Sequence, residues 1–147
     1  MGSIPLKFIA LPVMAGLVLG LGFYTFVYAK GYSYLSDRSE ACTNCHVMQE
    51  QYTGWVTGLH RQAAQCNDCH TPPGFAGKYL TKALNGFNHS WAFTTGRYPE
   101  PIRVNDRNRA IAEKACLNCH GDLFYKAATT EHRDAINCLG CHQNAGH

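Results

Sequence analysis

From Phe8 to Ala29 the chain runs through 22 positions without a charge, in a series of Leu, Val, Ala, Gly and aromatic residues. About 20 such residues suffice for a helix to cross a hydrocarbon layer roughly 30 Å thick. A cleaved signal peptide is the competing reading, and Val27-Tyr28-Ala29 offers a passable cleavage site. The apolar run of a signal peptide is only about 7–15 residues long, however, so the pattern favours a retained anchor over residues 1–30. Tyr24, Tyr28, Tyr32 and Tyr34 suit the membrane–water boundary, where amphipathic rings settle. Beyond Lys30 there is no long alternation of apolar and polar positions that would mark strands. The pattern predicts two longer helices instead. One spans roughly Phe75 to Phe93, and the other runs from about Asn105 into a cysteine-containing segment, with Asp106 or Asn105 as its cap. Between them Thr94 to Pro101 carries the Gly and Pro punctuation of a loop. The fold class is therefore mostly α with little regular sheet, preceded by one transmembrane helix.

All eight cysteines fall in four copies of Cys-x-x-Cys-His: Cys42 and Cys45 before His46, Cys66 and Cys69 before His70, Cys116 and Cys119 before His120, Cys138 and Cys141 before His142. Zinc sites, thioredoxin-like pairs and disulfides use some of these residues, but none requires a histidine directly after the second cysteine four times. Covalent attachment of c-type haem requires it, with two thioether links and a histidine placed for the iron. Four haem c groups then have to be held by residues 31–147, or about 30 residues each, too few for an ordinary hydrophobic core. The expectation is a compact domain whose core is the macrocycles, wrapped by short helices and loops. The net charge of +3 does not point to nucleic acid, because lysines and arginines are needed opposite haem propionates.

The region also reads as two tandem dihaem units, about residues 38–95 and 105–147. His60-Arg61-Gln62-Ala63 stands six residues before Cys66, and His132-Arg133-Asp134-Ala135 stands six residues before Cys138. Eight axial positions face eight histidines: His46, His70, His120 and His142 in the motifs, and His60, His89, His132 and His147 outside them. Met48, two residues after His46, is a further candidate, since a thioether ligand raises the potential of its iron. A packing role for Met48 is the plain alternative.

Several stretches carry a closer resemblance: Tyr28-Ala29-Lys30-Gly31, Ser33 to Asp37, Cys42 to Met48, Cys66 to His70, Asn85 to Gly96 and Pro99 to Arg103. With these the chain resembles the NapC/NirT family of membrane-anchored quinol-oxidising tetrahaem cytochromes, in its NrfH-type branch of cytochrome c nitrite reductase small subunits. The resemblance implies that menaquinol is oxidised at the outer face of the cytoplasmic membrane. Electrons then pass to a periplasmic pentahaem catalytic subunit, which reduces nitrite to ammonium in a hetero-oligomer. It also implies that Met48 is the axial ligand of haem 1 in place of His46. Where family members can hold an acidic residue over that haem, this chain has His89, which leaves His89 either on the iron or free to accept a quinol proton. Lys82, seven residues earlier, falls on the same helical face and joins it in the expected quinol site. For the other haems the expected pairs are His70 with His132, His120 with His147, and His142 with His60. Because c-type haem is attached outside the bacterial cytoplasmic membrane, residues after Lys30 are expected in the periplasm. The alternatives are a quinol dehydrogenase serving another periplasmic reductase, such as nitrate reductase, and a passive electron-wiring cytochrome.

Overall fold

The computed structural model describes residues 5–127 and 137–147. The chain divides into two compact units, one ending at Ser33 and the other running from Tyr34 to His147. The first unit is essentially α1 (Leu6–Tyr28), a helix of 23 residues with no buried side chain. At 1.5 Å per residue it is about 34 Å long, enough to cross a bilayer. Pro12 is tolerated inside it, and the Thr25 hydroxyl donates back to the Leu21 carbonyl at 2.6 Å. The helix stops where Lys30 turns to φ +52°, with the Ala29 and Lys30 amides closing on Thr25 and Val27.

The second unit is built from short helical pieces and two long ones. Short 3-10 segments at Ser39–Asn44, His46–Met48 and Leu59–Gln62 flank α2 (Gln49–Thr57). Then come α3 (Cys66–His70), α4 (Phe75–Thr95), α5 (Asp106–Ala127) and α6 (Cys138–Cys141), with no strand among the described residues. The two long helices agree with the pattern and exceed it slightly. Helix α4 ends when Gly96 adopts φ +66°, a left-handed conformation that suits glycine, and its amide satisfies the Phe93 carbonyl. Asn105 caps α5 through its side-chain oxygen, 2.9 Å from the Asn108 amide. The helix then runs through the third motif to Ala127 instead of stopping at it.

Apolar burial is sparse. Among the described residues the buried hydrophobic side chains are Trp55, Ala112 and Ala115, beside buried Ser39, Thr71, Thr81 and Lys82. Polar contacts take over the work of fixing register. Helices α4 and α5 are tied by Arg107 donating to Thr81 at 3.0 Å and Asn108 to Asn85 at 3.1 Å. Arg109 is likewise spoken for, 2.8 Å from the Asn137 side-chain oxygen. A further arrangement occurs twice. Ser39, three residues before Cys42, accepts the Cys66 amide at 3.0 Å. Glu113, three residues before Cys116, accepts the Cys138 and Leu139 amides at 2.8 and 3.0 Å. In each half the residue ahead of one motif thus anchors the start of the next. Helix α3 packs on α5 and α5 on α6, so motifs that follow one another in sequence are also neighbours in space.

The C-terminal residue is seated against α2. A Cβ on Gly54 would meet the backbone carbon of His147 at 2.9 Å and its Cα at 3.0 Å. Gly54→Ala is expected to destabilise the haem-loaded protein by about 1–3 kcal/mol through overpacking. Gly77→Ala, whose Cβ would meet only Pro72 at 3.4 Å within α4, is expected to be neutral or stabilising by up to about 1 kcal/mol. Thermal unfolding of the two variants in detergent checks the contrast.

Candidate haem and quinol site

The cysteines are presented on helical segments, Cys66 and Cys69 on α3, Cys116 and Cys119 on α5, Cys138 and Cys141 on α6. Cys42 lies in the 3-10 segment Ser39–Asn44, and Cys45 follows it directly. Among the described residues no three His, Cys, Asp or Glu side chains converge to hold a bare metal ion. Histidines instead meet in twos. The rings of His70 and His147 have centroids 6.1 Å apart and planes within 7° of each other. Those of His60 and His120 also lie 6.1 Å apart, at 88°. Two imidazoles binding one metal from opposite sides, each with a metal–nitrogen bond of about 2 Å, have centroids a little over about 6 Å apart. The donor set therefore fits bis-histidine haem. His60 is further prepared for this, because its Nδ1 lies 2.6 Å from the Ala145 carbonyl. A protonated Nδ1 donating there leaves Nε2 with its lone pair free for a metal.

These pairs differ from the expected crossing of the two halves. His147 stands beside His70, where His132 was expected, and His60 stands beside His120, where His147 was expected. The reason is the C-terminus: packed on Gly54 of α2, His147 is delivered to the α3 side, and Ala145 beside it to His60. His132 lies outside the described residues. His142 caps α6, its amide closing on the Cys138 carbonyl at 2.8 Å. Met48 is half-buried and His46 exposed, at opposite ends of one 3-10 segment. Residues two apart on a 3-10 helix point about 120° from each other, so only one of them can face a given macrocycle squarely.

Helix α4 carries the rest of the site. The segment Tyr34–Asp37 lies along one of its faces as a strap. The Lys82 ammonium, 7% exposed, donates to Asp37 Oδ1 and to the Ser36 carbonyl, both at 2.7 Å. Lys78 pairs with the other Asp37 oxygen. The Tyr34 ring passes Gly86 closely enough that a Cβ there would sit 3.5 Å from it. The Tyr34 hydroxyl then meets Nδ1 of His89 at 2.9 Å. Residues 78, 82, 86 and 89 form one stripe of the helix, so Lys82 and His89 do share a face. They do not share an environment: the ammonium of Lys82 is committed to the strap, whereas His89 points its ring at Tyr34.

The electrostatics follow from these contacts. Lys78 first, then Lys82, hold the Asp37 carboxyl below the usual carboxylate range. Burial pushes the Tyr34 phenol up to about 12, with Cys45 and Cys42 adding to the shift. Loss of hydration lowers the pKa of His89. His70 is lowered by burial, then by His147 and His89. The strap residues Ser36, Asp37 and Tyr34 were missing from the sequence-based site. Their positions are set by contacts 41 to 55 residues apart in the chain, for which the sequence carries no local signal.

Comparison with known proteins agrees with this architecture. The sequence pattern of the NapC/NirT cytochrome c family, N-terminal region, matches residues 5–147. The chain is 39% identical to cytochrome c-type protein NrfH of Wolinella succinogenes over 112 residues, covering 76% of this chain and 63% of that protein's length. It is 26% identical to a putative tetrahaem cytochrome of Allochromatium vinosum, covering 89% of this chain and 87% of that one. Against cytochrome c-type protein TorC of Escherichia coli the identity is 24%, over 92% of this chain and 41% of TorC. The crystal structure of a cytochrome c nitrite reductase NrfHA complex bound to the HQNO inhibitor contains a chain that superposes with a TM-score of 0.64 at 26% identity, covering 90% of this chain and 87% of that one. With its apolar N-terminal helix and its Cys-x-x-Cys-His motifs for covalently bound haem c, this chain belongs to the NapC/NirT cytochrome c family.

Proposed function

We propose that this chain is a menaquinol-oxidising tetrahaem cytochrome that feeds electrons to a nitrite-reducing partner. The observation that carries the reading is His89 on α4, its Nδ1 held 2.9 Å from the Tyr34 hydroxyl of the strap and its pKa lowered by loss of hydration. Identity of 39% to NrfH, against 24% to TorC, favours a periplasmic pentahaem nitrite reductase as the partner over another terminal reductase.

Haem c, when bound, supplies iron that accepts and passes on one electron at a time. The chain's own residues do the rest. The eight motif cysteines fix the macrocycles covalently. His70 with His147 and His60 with His120 hold two irons, which by count leaves His142 to His132, and Met48 to the first motif with His46 turned away. Menaquinol must lose two protons together with two electrons, and His89 is placed to take a proton. Its lowered pKa keeps the imidazole neutral near pH 7, the state a proton acceptor needs. Lys82 does not serve as a second base in this reading. Its charge is neutralised by Asp37, and it works by holding the strap against α4.

Three outcomes test the proposal. The detergent-purified, haem-loaded protein should be reduced rapidly by a menaquinol analogue; reduction by dithionite alone would leave a passive electron wire. His89→Gln should slow quinol-driven reduction by about 100-fold while leaving dithionite reduction intact. Because His89 is lowered below the ordinary histidine value, the wild-type rate should be flat around pH 7 and fall only as pH drops through a value below about 6.5. Finally, His70→Ala and His147→Ala should each abolish the same low-spin EPR signal, and His60→Ala and His120→Ala a different one. Loss of one shared signal in His120→Ala and His147→Ala would restore the crossed pairing.

A further inference from the structure

Tyr34 belongs to no motif, and the quinol chemistry above does not require it. Yet it is the residue through which the strap reaches His89. Its hydroxyl lies 2.9 Å from Nδ1 of His89, with ring centroids 6.5 Å apart and planes inclined at 59°. The ring lies against the Gly86 position of α4, where a Cβ would meet it at 3.5 Å, an ordinary van der Waals contact. Two and three residues further on, Ser36 and Asp37 are clamped by Lys82, and Asp37 also by Lys78, so the phenol cannot drift along α4 without breaking two ion pairs.

Resting on the quinol reading, we propose that Tyr34 is a positioning residue of the quinol site: its oxygen accepts the Nδ1 proton of His89 and so presents Nε2, unprotonated, to the quinol. The opposite polarity, with the phenol donating to Nδ1, would place the imidazole proton on Nε2 and leave no lone pair facing the substrate. The assigned polarity also survives the reaction. When a quinol O–H bond breaks, its proton bonds to Nε2, and the electron would be taken up by a ferric haem c held by the cysteine motifs. The ring then becomes imidazolium and Nδ1–H still donates to Tyr34, now as a stronger, charge-assisted bond. No group has to turn during the step. The phenol stays protonated throughout, with a pKa of about 12.

Tyr34→Phe keeps the ring that packs on Gly86 and removes only the oxygen. Quinol-driven kcat should fall about tenfold, as expected for losing one orienting hydrogen bond, with KM within about twofold. Binding of a non-reducible menaquinone analogue, followed by fluorescence titration, should be unchanged within about twofold, and the EPR spectrum should be unaltered. In a His89→Gln background, adding Tyr34→Phe should have no further effect, because the phenol acts through the histidine. A rise in KM with weaker analogue binding would instead mark Tyr34 as a wall of the pocket and overturn the assignment. Multiplying effects in the double variant, or an unchanged kcat in Tyr34→Phe, would overturn it as well. If the wild-type protein itself ignores menaquinol, it is the quinol reading that falls; a normal wild type with an indifferent Tyr34→Phe removes this inference alone.

Discussion

Among the described residues few apolar side chains are buried against one another, so the contacts within the polypeptide that set the register of its helices are largely polar. Trp55, Ala112 and Ala115 are a small core for the residues beyond Tyr34. A single hydrogen bond contributes only about 0.5–1.5 kcal/mol net, but it is directional, and direction is what these short helices lack. The polar pins therefore fall where geometry matters most. Ser39 and Glu113 set the start of the second and fourth motifs relative to the first and third. Arg107 and Asn108 set α5 against α4. Cys66 is pinned at its amide. A thioether tether needs that kind of placement, since an attached macrocycle inherits any error in its cysteine backbone.

The same constraint explains why His89 and the structural pins lie on one helix face. Residue 82 of α4 is nearly inaccessible and carries a full charge, which is costly to bury unless it is paired. Asp37 and the Ser36 carbonyl meet that need, and in doing so they dock the strap. With the strap fixed, Tyr34 is carried about two further turns along the helix from Lys82 to His89. The ion pair thus acts on His89 at second hand. Because Asp37 is half-exposed, the strength of the pair depends on solvent screening, while the buried end at Lys82 does not change.

Much of the architecture was legible in the sequence, and the limits have physical causes. The apolar run of α1, the helical spans of α4 and α5 and the four haem motifs are local patterns, and local patterns survive folding. Gly96 and Asn105 marked helix ends by their backbone and capping preferences. The partner of each histidine was not legible. Counting set eight histidines against eight expected axial positions but could not say which rings lie together, because that depends on where residues 145–147 dock. That docking depends on Gly54, whose side-chain absence at an α2 position has no periodic signature. Lys82 and His89 were correctly placed on one face by spacing alone. Their separate roles depend on the strap, whose residues lie 41 or more positions away. The recurring position three residues before a leading cysteine escaped notice because serine fills it in one half and glutamate in the other.

That difference between the halves is itself informative. A serine hydroxyl can accept the Cys66 amide while donating to Gln65, so it closes a neutral network that is indifferent to pH across the physiological range. Glu113 accepts two amides at once and sits 3.8 Å from Arg109, a charged arrangement that binds the α6 segment more tightly. The half containing the first motif is also held by the strap, through the Asp37 contacts with Lys78 and Lys82. The other half contains α6, only four residues long, whose start is placed by Glu113 and, through Asn137, by Arg109. A helix that short cannot hold itself together by backbone bonds alone. Two charge-assisted bonds at its first turn supply what its length does not.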